Sequence, residues 1–174
     1  MMTIQPQYIQ PQILQLAKTE AFIFGLDPAL VCAVIEQESG WNTWAMRYEP
    51  AFFAKYVAPL YTTNNKMSAT EAHARGSSWG LMQVMGQVAR ENGFTVFFLS
   101  ALCDPEQGIK IGCRVLSKKI AAAKGDIRAG LLAWNGGGNS SYPEEVLARK
   151  AKYEYIDLLR QDMINLRSGE APRE

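Results

Sequence analysis

The sequence predicts an all-α chain folded as one globular domain of about six or more helices. Apolar residues recur at helical spacing through most of the chain, and prolines or aspartates stand where such runs begin and glycines where they end. No segment sustains the period-two alternation of a half-buried strand.

A first helix is expected from Pro11 to Phe24, carrying Ile13, Ala17, Ala21 and Phe24 and stopping at Gly25. The second, roughly Pro28 to Ser39, has both ends marked, because Asp27 can cap its start, Pro28 suits the first position and Gly40 accepts a left-handed turn. Another is expected between Gly80 and Gly93. A longer helix opens with Asp104 and Pro105, carries Ile109, Cys113, Leu116 and Ile120 on one face, and ends at Gly125. Asp126 caps a short helix through Trp134, cut off by Gly136, Gly137 and Gly138. The last runs from Pro143 to about Leu166, with Tyr153, Ile156, Leu159, Met163 and Leu166 at heptad-like spacing. Without repeats or linkers, residues 1–174 read as one domain, and only the tail "SGEAPRE" reads as loose.

The balance of the chain removes several function classes. Hydrophobic residues are 48% and charged residues 20%, and a formal net charge of +1 gives no case for nucleic acid. The start "MMTIQPQYIQPQ" lacks both a basic segment and an apolar core, so no secretory signal is visible, and no run reaches membrane-spanning length. A target outside the cytoplasm would then require another delivery route. Cys32, Cys103 and Cys113 lie among apolar neighbours without a CxxC pair and read as buried reduced thiols. With His73 as the only histidine, a multi-histidine zinc site cannot be built. The expected state is a monomer without cofactor or metal.

Within the second helix, the stretch "VIEQESGWN" holds two glutamates. At about 100° per residue, with Leu30 as origin, Val34 lies at about 40°, Val31 at about 100° and Ile35 at about 140°. Glu38 falls at about 80°, inside this apolar face, and Glu36 at about 240°, on the opposite side. Glu36 therefore reads as solvated, and its replacement as nearly silent. A carboxyl aimed into apolar packing resists ionisation and holds its proton near neutral pH, which is what a general acid needs. The wheel leaves a second reading equally open, in which the last turn bends Glu38 out to solvent or to an arginine.

Between Trp44 and Arg75 the helical pattern weakens and aromatics accumulate: Trp44, Tyr48, Phe52, Phe53, Tyr56 and Tyr61. Such a density suits either a satellite core or a carbohydrate groove, where sugar faces stack on aromatic planes.

Two further stretches, "SSWGLMQVM" from Ser77 to Met85 and "LLAWNGGG" from Leu131 to Gly138, follow "QESGWN" in order. Together they resemble the catalytic domain of the soluble lytic transglycosylases, which are related to goose-type lysozyme. The resemblance covers about Leu26 to Tyr155 and places the family pattern on Glu38 and Ser39, on Gly80 to Gln83 with Met85, and on Ala133 to Gly136. It implies a lysozyme-like fold and favours Glu38 as the acid.

The implied substrate is the peptidoglycan glycan strand, cut between N-acetylmuramic acid and N-acetylglucosamine. Glu38 would protonate the glycosidic oxygen, and as carboxylate would then take the proton of the sugar's own C6 hydroxyl, closing a 1,6-anhydro ring. A hydrolytic muramidase would instead need a second carboxylate to position water. Glu49, in "RYEPAFF", is the candidate, against its reading as a surface acid paired with Arg47 or Lys55. Ser39 would bond within the site or cap the helix, Gln83 and Asn135 would hold acetamido groups, Tyr153 would approach the acid, and Met85 would line the site or the core. A non-catalytic wall-binding module is the third reading.

The sequence departs from the family pattern twice. The interval from Glu38 to Gly80 is long, which resembles phage lysis and virion-associated members and implies delivery by a holin-type, virion or other non-standard route. Trp134 stands in place of the usual tyrosine, so a phenolic hydroxyl near the acid is expected to be missing.

Overall fold

The computed structural model describes residues 9–63 and 67–168. The polar N-terminal stretch and the C-terminal tail, read above as carrying no secretory signal and as a loose end, fall wholly or mostly outside the described residues. The fold is mostly helical around a small sheet.

Helix α1 (Pro11–Ile23) leads into α2 (Pro28–Ser39), whose limits are set by local chemistry. Asp27 Oδ1 accepts from the amides of Ala29 at 2.8 Å and Leu30 at 3.4 Å. Gly40 ends the helix at φ 56°, in the left-handed region. Every residue from Ala29 to Glu36 is buried, because α2 packs against α1 and also against the long last helix. A one-sided wheel therefore misplaces Glu36: the face taken as solvated is covered by the C-terminal helix.

After α2 the chain forms β1 (Met46–Tyr48), then a continuous helical path: α3 (Pro50–Phe52), a π-helical turn (Phe53–Val57) and α4 (Ala58–Thr63). Helix α5 (Ala69–Arg75) follows, capped by Ser68 Oγ on the Glu71 amide at 3.1 Å. Strands β2 (Ser77–Trp79) and β3 (Val84–Met85) complete an antiparallel sheet of order β1-β2-β3, with Arg47 opposite Ser78 and Trp79 opposite Val84. The sequence showed no strands because these are only two or three residues long, too short for alternation to register.

The helix expected from Gly80 to Gly93 is likewise corrected. Gly80 to Gln83 is the turn between β2 and β3, and α6 covers only Gly86–Glu91. Gly80 has φ 68°, and a Cβ there would lie 2.2 Å from the Leu102 carbonyl oxygen. Only glycine permits this approach. A 3-10 turn (Leu99–Cys103) leads to α7 (Pro105–Ala122), α8 (Ile127–Trp134) and α9 (Tyr142–Ser168). Ile109, Cys113, Leu116 and Ile120 of α7 are buried in the main core, as their spacing predicts. None of the three cysteines forms a disulfide, and all three are buried.

Of the interval aromatics, Trp44, Tyr48, Tyr56 and Tyr61 are exposed, and along 50–63 only Val57 is buried. Tyr48, Phe52, Phe53 and Tyr56 form ring contacts outside the main core. Phe53 stacks on His73 with centroids 5.1 Å apart, Tyr48 lies 5.8 Å from Phe53, and Phe52 lies 4.8 Å from Tyr56.

Candidate active site

Glu38 stands in the last turn of α2, where the helix already concentrates the negative end of its dipole. Two donors converge on one of its oxygens. Trp134 Nε1, at the end of α8, donates to Oε1 at 2.9 Å, and the Tyr142 hydroxyl, at the start of α9, donates to the same atom at 2.5 Å. Gly136 and Gly137, at φ 73° and 78°, reverse the chain between these helices, so two residues eight apart reach one carboxylate. Among the described residues no donor is assigned to Oε2.

Burial pushes the Glu38 carboxyl above its ordinary value of 4.5, against the bonds from Tyr142 and Trp134 and the charge of Arg47, which pull it down. Desolvation wins. Burial, and next the neighbouring Glu38 charge, push the Tyr142 phenol well above its usual range, so it remains a hydrogen-bond donor.

Tyr142 is the residue sequence reasoning missed. The phenol expected to be lost with Trp134 is present, supplied from the next helix. The signal was its place just before Pro143, where α9 begins, four residues after the glycine run ends at Gly138.

The turn after β2 is clipped to this helix end. Ser39 Oγ lies 2.8 Å from the Leu81 carbonyl and 3.2 Å from that of Ile35, donating across the gap to the Gly80–Gln83 turn. Gln83 holds the turn itself, since its Nε2 donates to the carbonyls of Ala45 at 2.9 Å and Gly80 at 2.8 Å, and its Oε1 accepts from Ser78 Oγ at 2.8 Å. Both polar ends of Gln83 are thus engaged within the fold. Met85 pairs with Ser78 in the sheet and is half-buried. Asn135 caps α8, and its Oδ1 accepts from the Asn139 amide at 2.9 Å.

Tyr153 was expected beside the acid and is not there. It is 2% exposed, donates to Glu36 Oε2 at 2.7 Å and accepts from Trp41 Nε1 at 2.9 Å. Lys152 Nζ, 3.0 Å from Glu36 Oε1, completes this second network on the other side of α2. Glu49 is half-buried and paired with Arg47. No cluster of three or more His, Cys, Asp or Glu suited to a metal occurs among the described residues, and no helix there is long and apolar enough to cross a membrane.

The geometry is one acid with a raised affinity for its proton, one oxygen held by two neutral donors, and exposed aromatics on the segment that follows it. None of the curated proteins compared with the chain matches it. The sequence profile described as "Transglycosylase SLT domain" matches residues 15–156. That stretch contains Glu38, the Gly80–Gln83 turn, Trp134 and Tyr142, and the chain belongs to this family of transglycosylase-type, peptidoglycan-degrading enzymes.

Proposed function

We propose that the chain is a lytic transglycosylase that cleaves the bond between N-acetylmuramic acid and N-acetylglucosamine, with Glu38 as its single acid and base. The observation that carries this reading is the convergence of Trp134 and Tyr142 on Oε1 of a carboxyl whose proton affinity is raised. With Oε1 fixed as an acceptor, the proton resides on Oε2.

In the first step that proton passes to the glycosidic oxygen as the C1–O bond breaks, and the muramic N-acetyl group stabilises the cation. In the second, the C6 hydroxyl attacks C1 and its proton returns to Glu38, so the acid is restored without water. Exposed Trp44, Tyr48 and Tyr56 are suited to stacking on sugar faces. The long interval carrying them supports a phage lysis or virion-type member, brought to the wall by a holin-type or virion route.

The alternative is hydrolysis, with Glu49 positioning water. It rests on Arg47, which pairs with Glu49 and whose charge also acts on Glu38. Glu49→Gln separates the two readings, measured as loss of turbidity of bacterial walls. On the single-acid reading it retains activity within about threefold, whereas a loss of about a hundredfold or more marks Glu49 as a catalytic base.

Tyr142→Phe tests how the acid is held. Removing the phenol removes a bond that favours the carboxylate, so the Glu38 pKa rises further. The basic limb of the pH–rate profile, where the acid loses its proton, is expected to move to higher pH. Activity below that limb is expected to fall about tenfold, because Oε1 is less well fixed. An unchanged limb would detach Tyr142 from the acid.

A further inference from the structure

The loop after α6 exposes apolar side chains while its backbone is fixed. Val96, Phe97 and Phe98 are 41%, 81% and 65% exposed, and the two phenylalanines meet edge to face at 4.8 Å. Beneath them Arg90 uses all five of its N–H donors. Nε and Nη2 bind the two oxygens of Glu71 at 2.8 and 3.1 Å, Nη1 donates to the carbonyls of Phe94 and Val96 at 2.9 and 2.6 Å, and Nη2 also donates to Phe97 at 3.0 Å. The carbonyls are turned inward and the rings outward by a guanidinium with no donor to spare. Adjacent exposed phenylalanines on a loop held this way mark a contact surface.

Beside the loop, α7 presents Lys110, Arg114 and Lys118 at four-residue spacing, one stripe of a helix. Val96, Lys110 and Arg114 line the same shallow groove. The guanidinium of Arg114 lies 5.9 Å from the Phe24 ring and donates to the Asn92 carbonyl at 2.9 Å, while Lys118 reaches the Asn92 side chain at 2.9 Å. Next to Phe24, Phe22 and Ile23 at the end of α1 are 82% and 62% exposed. The stripe thus joins Val96 of the loop in one groove and meets Phe24 at the end of α1, and the one acid in α7, Glu106, stands a turn before Lys110.

We propose that this face docks on the surface of a lipid bilayer bearing anionic headgroups. Phosphate groups satisfy the stripe, and the acyl boundary takes Phe97, Phe98 and Phe22 at the same time. A second copy of the chain is disfavoured, because a two-fold contact sets the cationic stripe against itself. Neither Glu38 nor either of its donors belongs to this face, so docking and cleavage are separable.

Sedimentation with vesicles of phosphatidylcholine alone, or with about 30% phosphatidylglycerol, tests the proposal at low and high salt. The chain is expected to sediment with the anionic vesicles and to be released at about 0.5 M NaCl. Replacing both Phe97→Ser and Phe98→Ser is expected to weaken binding about tenfold or more, and Lys110→Glu with Lys118→Glu to remove the anionic preference. Both variants are expected to keep activity on soluble wall fragments within about twofold, since they lie outside the catalytic machinery. No sedimentation, or equal sedimentation of the variants, would overturn the proposal. So would self-association lost in the phenylalanine variant without vesicle binding, which assigns the face to a second copy.

Discussion

Glu38→Gln is expected to abolish wall lysis, by at least about a hundredfold, and at the same time to make the protein more stable. The amide keeps the shape, and its oxygen can still accept from Trp134 and Tyr142, but it has no acid proton to give. Stability moves the other way because the native carboxyl is harder to ionise than in the unfolded chain. Below pH 4.5 the carboxyl is protonated in both states and wild type and variant differ little. As pH rises from there to the higher folded value, the unfolded chain releases its proton first, so the wild type loses stability that glutamine does not lose. Above the folded value the difference is constant. At neutral pH the variant is therefore expected to melt at a higher temperature than the wild type, and the gap to close as pH falls towards 4.5. Melting curves and turbidity assays on the same preparations check both halves. An inactive variant that is also less stable would mean that a structural defect had been introduced instead.

Glu36→Ala is expected to do the opposite, lowering stability by about 2–4 kcal/mol while the folded fraction keeps activity within about threefold. The side chain is 6% exposed and anchors α9 to α2 through Tyr153 and Lys152, with Arg149 Nε at 3.8 Å. Truncation leaves the buried Tyr153 hydroxyl without its acceptor and takes the partner from two cations. Lys152, about half exposed, can turn to solvent, which keeps the loss below that of a fully buried pair. Chemical denaturation measures the effect. A loss under about 0.5 kcal/mol would restore the solvated reading of Glu36.

Those two glutamates show what the sequence carries and what it does not. The limits of α2 are legible because Asp27, Pro28 and Gly40 act within one turn of themselves. The motifs at Glu38, Gly80 and Trp134 are legible because each is a short ordered string. The burial of Glu36 is not, since it depends on α9, more than a hundred residues away, closing over a face that local periodicity marks as polar. Tyr142 escaped for the same reason: its approach to Glu38 needs the glycine turn and the packing of α8 and α9 together. Tyr153, matched to the acid by its place on the last helix, lies three turns further along α9 and meets the other glutamate. The strands escaped because two or three residues hold too little pattern.

In the proposed mechanism one carboxyl opens the glycosidic bond and closes the ring without water. Mass spectrometry of glycan products formed in isotopically labelled water tests it most directly, sampled from the first turnover. The expected products are 1,6-anhydromuramic ends, about 18 mass units lighter than hydrolytic ends and free of label. Labelled oxygen in reducing muramic ends from that first turnover would contradict it, and would make the enzyme a muramidase.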